Sequence, residues 1–160
     1  MQTNTTAEKI ETLLQTYGNG LFRLSLVMLR NESDAEDAIQ DTMIRYLQKA
    51  PNFRDADHEK AWLFKVCTNI CHDMLRYRKR HPQVDIDTQY HLTEKETDAS
   101  LLDALMELPE RFKLVLILYY VEGYRIHEIA EIIERSPSAV KMRLQKGRKL
   151  LENTYRKEYL

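Results

Sequence analysis

The stretch IAEIIERSPSAVKMRLQKGRKLL, residues 129–151, constrains the fold of this chain more than any other. It begins as a short apolar segment with helical spacing. Ser136-Pro137 then signals a new helix, because Ser can cap a helix and Pro at the first helical position loses no hydrogen bond. Only Glu134, Arg135 and Ser136 separate the two segments. Two helices joined by so short a turn are typical of a helix-turn-helix, whose second helix enters the major groove of DNA.

The second helix of this pair is predicted to have a narrow apolar stripe and a broad basic face. At about 100° per residue, Val140, Leu144, Gly147 and Leu151 share one side. Cations on the remaining arc suit phosphates, and hydroxyl or amide groups suit base edges. The predicted DNA-contacting residues are Ser136, Ser138, Ala139, Lys141, Met142, Arg143, Gln145, Lys146, Arg148 and Lys149. The alternative is a terminal helix whose basic face is merely solvated.

The rest of the chain also favours helices. Only four Gly and four Pro interrupt 160 residues in which apolar positions recur at helical spacing. Periodicity is lost after His81-Pro82, in the polar, acidic run QVDIDTQYHLTEKET, and resumes at Leu101. We therefore predict an all-α fold of two small helical lobes, residues 1–82 and 100–160, joined by a flexible acidic linker, residues 83–99.

The net charge of −1 hides a strong segregation of charge along the chain. Residues 60–80 carry 6 basic and 1 acidic residues, and residues 141–157 carry 7 and 1. Acidic residues dominate 31–59 and 82–110. The basic blocks predict polyanionic partners, whereas the acidic ones indicate solvated surface or a basic partner.

The helix predicted from Ala61 to His81 mixes cations, aromatic rings and an amide, which suits unstacked single-stranded bases. Its candidate contacts are Trp62, Lys65, Asn69, His72, Arg76, Arg78 and Arg80. The alternatives are that Trp62 and Phe64 belong to the core and that His72 is an ordinary surface residue.

The sequence gives no sign of catalysis or of a cofactor. It contains no nucleophile–base pair, phosphate loop or metal cluster, so we predict neither an enzyme nor a metal site. Cys67 and Cys71 are expected to be buried thiols, although their spacing near His72 leaves a metal role as the less favoured alternative. Without a signal-peptide pattern or a membrane-length apolar run, the predicted location is the cytoplasm.

Three segments in this order resemble the sigma-70 family of bacterial RNA polymerase sigma factors, in its extracytoplasmic function (ECF) group. DAEDAIQDTMIRYLQ resembles region 2.2, and AWLFKVCTNICHDMLRYRKR resembles regions 2.3 and 2.4. LMELPERFKLVLILYYVEGYRIHEIAEIIERSPSAVKMRLQKGRKLL resembles region 4. The resemblance covers nearly the whole chain.

The resemblance implies a promoter-specificity subunit. Asp37, Gln40 and Asp41 would meet the clamp helices of the large subunit of core RNA polymerase. The −10 element would be opened and held by the loop 52–60 and the helix face of Lys65, Asn69, His72 and Arg76. The helix from Pro137 would read the −35 element of promoter DNA. The linker would thread toward the polymerase active-site channel. An anti-sigma factor is the group's usual control.

The sequence departs from the family in three places. Many relatives carry Gly near Glu134 and an apolar residue near Arg135, and Met142 stands where a small polar residue is common. The loop predicted at 52–60 is unusually acidic. Two other hypotheses are a stand-alone helix-turn-helix regulator and a sigma-like interaction protein that does not read DNA. The first leaves the acidic helix unexplained, and the intact cationic faces argue against the second.

Overall fold

The computed structural model describes residues 2–82 and 96–159, and every regular element in these two ranges is helical. The predicted all-α class is confirmed. The chain divides into two compact units, residues 1–84 and 85–160. Most of the predicted linker, 83–95, lies outside the described residues, whereas 96–99 belong to a helix.

The first unit contains three helices: α1 (Gln2–Leu29), α2 (Glu32–Lys49) and α3 (Ala56–Arg80). Each packs against the other two, and their facing sides bury an apolar core. Gly18 and Gly20, which could have interrupted α1, lie within a continuous helix. The largest fully buried side chains of this core are Leu13, Leu21, Leu24, Leu26, Met28, Leu29, Leu63 and Phe64.

A sharp corner joins α1 to α2. Arg30 adopts a left-handed conformation (φ 57°), and its N–H donates to the Leu26 carbonyl at 2.8 Å. Asn31 then caps α2, because its side-chain oxygen accepts from the Asp34 N–H at 2.8 Å. Asn31, and not Ser33, is therefore the N-cap of α2.

Helix α3 begins earlier than predicted, at Ala56 rather than Ala61. Asp55 is its N-cap and accepts from the His58 N–H at 2.8 Å. The ring of Phe53, next to this cap, lies 5.8 Å from Trp62 and 6.0 Å from Tyr46 between centroids. The acidic segment 52–60 is therefore half loop and half first turn of α3, where carboxylates favour the helix dipole.

A small polar cluster lies inside the first unit. The Ser25 hydroxyl lies 3.2 Å from the Cys67 sulfur, and the Cys71 thiol donates to the same hydroxyl oxygen at 3.7 Å. Both cysteines are buried and free, as predicted. Thr68, which we expected on the exposed side of α3, is also buried, because helices α1 and α2 cover more of α3 than its apolar stripe alone indicates.

The second unit contains α4 (Glu96–Met106), α5 (Glu110–Leu116), α6 (Ile126–Ile133) and α7 (Pro137–Tyr159). A five-residue π-helical segment, Ile117–Val121, continues α5. Helix α7 packs against α4, α5 and α6. The core of the second unit includes Phe112, Leu116, Ile117, Leu118, Ile129, Ile132, Val140 and Leu144.

The π-helical segment changes the end of the helix predicted from Pro109. The Glu122 N–H donates to the Ile117 carbonyl at 2.9 Å, five residues back instead of four. Such a wide turn accommodates one extra residue. Gly123, at φ +75°, then ends the helix, as its position just past the apolar run predicted.

The turn between α6 and α7 is built on a strained residue. Glu134 adopts the left-handed conformation (φ 57°, ψ 48°), and the Arg135 N–H donates to the Ala130 carbonyl at 3.1 Å. Ser136 caps α7, because its hydroxyl accepts from the Ala139 N–H at 3.1 Å. The helix-turn-helix predicted from this spacing is present.

Helix α7 is seated by the apolar stripe that the sequence predicted. Val140 and Leu144 are buried, and Leu151 is half-buried. Gly147 is needed for close approach, since a Cβ built there would lie 3.1 Å from Leu116 Cδ1 and 3.4 Å from Phe112 Cβ. The stripe fixes which side of α7 faces outward.

Candidate nucleic-acid interface

The outward side of α7 carries most of the predicted −35 contacts. Met142 is 52% exposed, a high value for a large apolar side chain. The other exposed members of the predicted set are Ser136, Ser138, Lys141, Gln145, Lys146, Arg148 and Lys149. One accessible arc therefore combines cations, a hydroxyl, an amide and an apolar group.

Four residues of the predicted set have structural neighbours that limit them. The hydroxyl of Ser136 is the α7 cap, and Ala139 and Arg143 are half-buried. Arg148 donates to the Tyr120 hydroxyl at 2.8 Å. Tyr120, 55% exposed at the π-helical segment, was not a predicted site residue, since nothing in the sequence indicates that a π turn aims its ring at α7.

The pKa of Arg143 is lowered, first by partial burial and then by the charges of Arg135 and Arg111. The positive charges of Arg135 and Arg111 therefore act on Arg143. An arginine remains charged near neutral pH despite such a shift.

The predicted −10 residues form a stripe on α3. Asn69 and Arg76 are exposed, and Lys65 and His72 are half-buried beside them. Their spacing of three or four residues places them on one side of the helix. Trp62, one turn before Lys65, is half-buried, and its ring meets those of Tyr46 and Phe53 edge-on. Phe64 is fully buried, so the core interpretation is confirmed for Phe64.

The Trp62 cluster is held by a hydrogen bond. The Tyr46 hydroxyl donates to Glu59 Oε2 at 2.8 Å. Burial and then this carboxylate raise the pKa of Tyr46 to about 12. Lys9 lies 3.5 Å from the same oxygen. These contacts anchor the first turn of α3 to α1 and α2, so the edge of Trp62 is presented by a fixed framework.

The arginines at the C-terminal end of α3 differ in their environments. Arg78 pairs with Asp34 and donates to the Leu29 carbonyl at 2.7 Å, which ties α3 to the α1–α2 corner. Arg76 pairs with Asp73 on its own helix, with both side chains mostly exposed. Arg80 is exposed. Arg78 thus has a structural role that the sequence did not predict.

An exposed aromatic pair ends α3. The rings of Tyr77 and His81 stack with centroids 4.1 Å apart, and Tyr77 is 58% exposed. Tyr77 accompanied the basic residues in the sequence, but its stacking partner was not predicted. Residues four apart lie on the same side of a helix. The pair can therefore be recognised once Tyr77 is known to lie in α3 and His81 to be its C-cap.

The predicted polymerase-binding residues lie on one exposed face of α2. Asp37, Gln40 and Asp41 are exposed, and Ile44, three residues further on, is 50% exposed. Ile44 is exposed although it is apolar, because Thr42 and Met43 are the residues of this turn that face the core. This face therefore combines two carboxylates, an amide and an apolar side chain.

Neither a metal cluster nor a membrane-length helix occurs in the described ranges. Within residues 2–82 and 96–159, no group of three or more His, Cys, Asp or Glu side chains could hold a metal ion. None of the helices there is long and apolar enough to cross a membrane.

Both halves of the chain match sigma factor families. Residues 13–81 match the family model for sigma-70 region 2, and residues 98–151 match that for sigma-70 region 4. The chain is 30% identical over 160 residues to the RNA polymerase sigma factor SigV of Bacillus subtilis, covering 98% of this chain and 96% of the relative. It is 29% identical over 142 residues to the ECF RNA polymerase sigma factor SigM of Mycobacterium tuberculosis, covering 86% of this chain and 72% of that protein.

Solved structures share the fold. The sigma factor RpoE of Bartonella quintana, crystallised with the anti-sigma factor NepR, has a TM-score of 0.79 at 22% identity, covering 94% of this chain and 99% of that chain. CnrH, in complex with the cytosolic domain of CnrY, has a TM-score of 0.71 at 21% identity, covering 95% and 90%.

The helix-turn-helix, the basic face of α3 and these matches together define the class: the chain belongs to the sigma-70 family of RNA polymerase sigma factors. Within that family its relatives place it in the ECF group. Its function is that of a promoter-specificity subunit of RNA polymerase.

Proposed function

We propose that this chain divides promoter recognition between its two units, with α7 reading the −35 element and α3 the −10 element. The observation that carries this proposal is the exposed arc of α7, which presents cations and hydrogen-bonding groups on a helix held by a helix-turn-helix turn. Ser138, Gln145 and Lys146 can contact base edges, and the flanking cations can contact phosphates.

The −10 assignment rests on the composition of the α3 face. Asn69 can hydrogen-bond a base edge, while Lys65 and Arg76 attract the backbone of a separated strand. Trp62, held edge-on by Tyr46 and Phe53, offers a ring near the start of this face. A rigid aromatic beside an amide and cations suits a base that has left the duplex stack.

The third role, binding to core polymerase, is proposed for α2. Asp37, Gln40 and Asp41 form an exposed polar patch with Ile44 at its side. Such a patch suits a helical partner surface that is basic and partly apolar, as the clamp helices of the large subunit would be. The carboxylates would guide association, and Ile44 would bury apolar area.

The proposal includes no catalytic role, no cofactor and a cytoplasmic location, because a sigma factor works with core polymerase on the chromosome. An anti-sigma factor is the expected regulator. This expectation is supported by the two structural neighbours, which were solved with an anti-sigma factor and with a cytosolic protein domain, respectively.

Reconstitution with bacterial core polymerase tests the proposal. The full chain and core enzyme would transcribe a library of randomised promoters, and the transcripts would be sequenced. We expect enrichment of two conserved elements at a fixed spacing. Polymerase binding without promoter-dependent transcripts would indicate an interaction protein instead, and duplex binding only in the absence of polymerase would indicate a stand-alone regulator.

A further inference from the structure

Three arginines lie in adjoining elements of the helix-turn-helix unit. Arg111 lies in the first turn of α5, Arg135 in the turn before α7, and Arg143 within α7. Arg111 and Arg135 are exposed, and Arg143 is half-buried. Neither Arg111 nor Arg135 is among the residues assigned to the −35 contact above.

Close packing of α5 against α7 brings Arg111 toward Arg143. A Cβ built on Gly147 would lie 3.4 Å from Phe112 Cβ, so the two backbones approach closely there. Arg143 lies one turn before Gly147 on the same side of α7. Arg111 precedes Phe112, and its guanidinium lies over that ring, 4.7 Å from the centroid. The Phe112 ring thus holds Arg111 at the contact between the helices.

The turn brings Arg135 to the same side. Arg135 directly precedes Ser136, whose hydroxyl accepts from the Ala139 N–H at 3.1 Å. Ala139 lies one turn before Arg143 on α7. The one hydrogen bond of the Arg135 side chain in the described ranges is to the adjacent Glu134 carbonyl, at a long 3.4 Å.

The electrostatics agree with this geometry. The charges of Arg135 and Arg111 contribute to the lowered pKa of Arg143, after its partial burial. Within residues 96–159, none of the three guanidinium groups forms an ion pair with a carboxylate. Like charges held together without compensation destabilise the folded state, and a bound anion would remove that cost.

We propose that Arg111, Arg135 and Arg143 together bind backbone phosphates of duplex DNA beside the groove that α7 enters. The proposal rests on the proposed function, since it takes α7 as the helix that reads the −35 element. Guanidinium groups bind phosphate oxygens in a bidentate manner. The N-terminal end of α7, next to Arg135, adds the positive end of a helix dipole on the same side.

These contacts would position the recognition helix without reading sequence. Phosphate contacts fix the register and orientation of a protein on the duplex, whereas base contacts specify it. The three arginines would thus strengthen binding to every −35 sequence by a similar factor. They would leave the preference among sequences to the exposed arc of α7.

Salt dependence of promoter binding tests this proposal. Holoenzyme containing wild-type chain, Arg111→Gln, Arg135→Gln or Arg135→Lys would be titrated onto a promoter selected in the reconstitution above. Each lost phosphate contact should flatten the plot of log K against log salt by about 0.9. We expect that change in both Gln variants, together with severalfold weaker binding at physiological salt, and a slope near wild type in Arg135→Lys.

Lys157→Gln is the matched control, because it also removes one positive charge from the second unit, but near the far end of α7. Lys157 is exposed and lies 14 residues beyond Arg143, about 21 Å along the helix axis. Its slope should equal that of wild type. If Lys157→Gln flattens the plot as much as Arg135→Gln, the effect is one of general charge and the proposal is wrong.

Stability and DNA chemistry provide independent readouts. Arg135→Gln should leave the thermal unfolding midpoint of the free chain unchanged or raise it, because it relieves repulsion. Neutral methylphosphonate linkages, placed one at a time beside the −35 element, should weaken binding by the wild-type holoenzyme at one or two positions. At those positions the same linkages should not weaken binding by Arg135→Gln, because the contact is already lost. The wild-type part of this experiment does not depend on how any variant folds.

The outcomes separate the two proposals. Unchanged slopes and no sensitive phosphate, with promoter-dependent transcription intact, would overturn the arginine site while the proposed function stands. Absence of promoter-dependent transcription by the wild-type holoenzyme would overturn the proposed function and this site with it.

Discussion

Glu134 is a residue whose backbone conformation conflicts with its side chain. It adopts φ 57° and ψ 48°, which costs a residue with a Cβ about 1–2 kcal/mol. Glu134→Gly should therefore raise the free energy of unfolding of the second unit by about 1 kcal/mol. Urea denaturation followed by far-UV circular dichroism measures this change.

Glu131→Gly is the control for that prediction. Glu131 is exposed like Glu134 but lies inside α6, where Gly loses more conformational entropy on folding. The same substitution should there lower the free energy of unfolding by about 0.5–1 kcal/mol. Changes of the same sign at both positions would contradict the role given to the left-handed conformation.

Arg78 acts at the residue scale in a different way, by joining distant parts of the first unit. Its side chain, 35% exposed, pairs with Asp34 and with the Leu29 carbonyl. Arg78→Ala should lower the free energy of unfolding by about 1–2 kcal/mol, because hydrogen bonds of a charged group are lost at a half-buried corner. Trp62, the only Trp of the chain, reports this unit by fluorescence.

Arg76→Ala serves as the comparison for Arg78. Its pair with Asp73 is mostly exposed, 67% and 59%, so its removal should change the free energy of unfolding by less than about 0.5 kcal/mol. Arg76→Ala should instead reduce promoter opening. Equal destabilisation by both substitutions would show that Arg78 has no special role in the corner.

At the residue scale, features that depend on neighbouring residues could be predicted from the sequence, and contacts between distant residues could not. Ser136 as a cap and Val140 and Leu144 as buried residues follow from spacing within one turn or two. The Arg78–Asp34 pair joins residues 44 positions apart, and no local pattern in the sequence specifies it. Ile44 shows that an apolar residue beside a buried stripe can still lie on the exposed side of a helix.

Among the elements, α1 and α7 both contain an interior glycine, and the two should respond oppositely to Ala. A Cβ at Gly18 would make ordinary contacts, 3.8 Å from Leu14 Cβ, whereas one at Gly147 would lie 3.1 Å from Leu116 Cδ1. Gly18→Ala should raise the free energy of unfolding of the first unit by about 0.5–1 kcal/mol through helix propensity.

Gly147→Ala should lower the free energy of unfolding of the second unit by about 1 kcal/mol. The crowding of Leu116 and Phe112 outweighs the gain in helix propensity, because overpacking a buried contact costs about 1–3 kcal/mol. Trp62 fluorescence follows the first unit alone, whereas far-UV circular dichroism follows the helices of both units, so the difference between the two transitions reports the second unit. If Ala stabilised the protein at both glycines, the close packing of α5 against α7 at Gly147 would not contribute to stability, and the prediction would be wrong.

The order of the helices was predictable from apolar periodicity and caps, but two boundaries were not. Helix α3 starts five residues earlier than expected, since Asp55 caps it and the Phe53 ring packs on Trp62. We had taken the charged residues 56–60 as loop. The π-helical turn at 117–121 depends on packing, so helical spacing alone predicted a continuous α-helix there.

For the whole molecule, the division of labour gives the sharpest prediction. Asp37→Ala, on the exposed face of α2, should weaken binding to core polymerase whatever the promoter, because it removes a charge that guides association. Lys146→Ala, on the exposed arc of α7, should weaken transcription mainly from promoters with a strong −35 element. The expected loss is the free energy of one base contact, roughly 1–3 kcal/mol. Core binding is measured by fluorescence anisotropy and promoter use by in vitro transcription.

These two variants also control for each other. Both residues are exposed, so neither substitution should change the unfolding midpoint by much. An equal loss of core binding in both variants would contradict the assignment of separate roles to the two units.

The whole-molecule features were the most predictable because they depend on many residues at once. Helical periodicity predicted the fold, and the resemblance of three ordered motifs to the sigma-70 family indicated the class. The proposed arginine site was not predictable, because Arg111 and Arg143 lie in helices far apart in the chain that pack closely only at Gly147.

The π-helical turn at Ile117–Val121 has one more consequence, for the tolerance of this chain to insertions and deletions. The turn holds one residue more than an α-helix would over the same stretch. Deleting a single residue there could restore regular α-helical bonding while rotating everything that follows by about 100° about the α5 axis. Tyr120 would then leave Arg148. The deletion would thus regularise the helix locally but misalign the rest of the second unit. The number of residues in this segment is therefore more constrained than their identity.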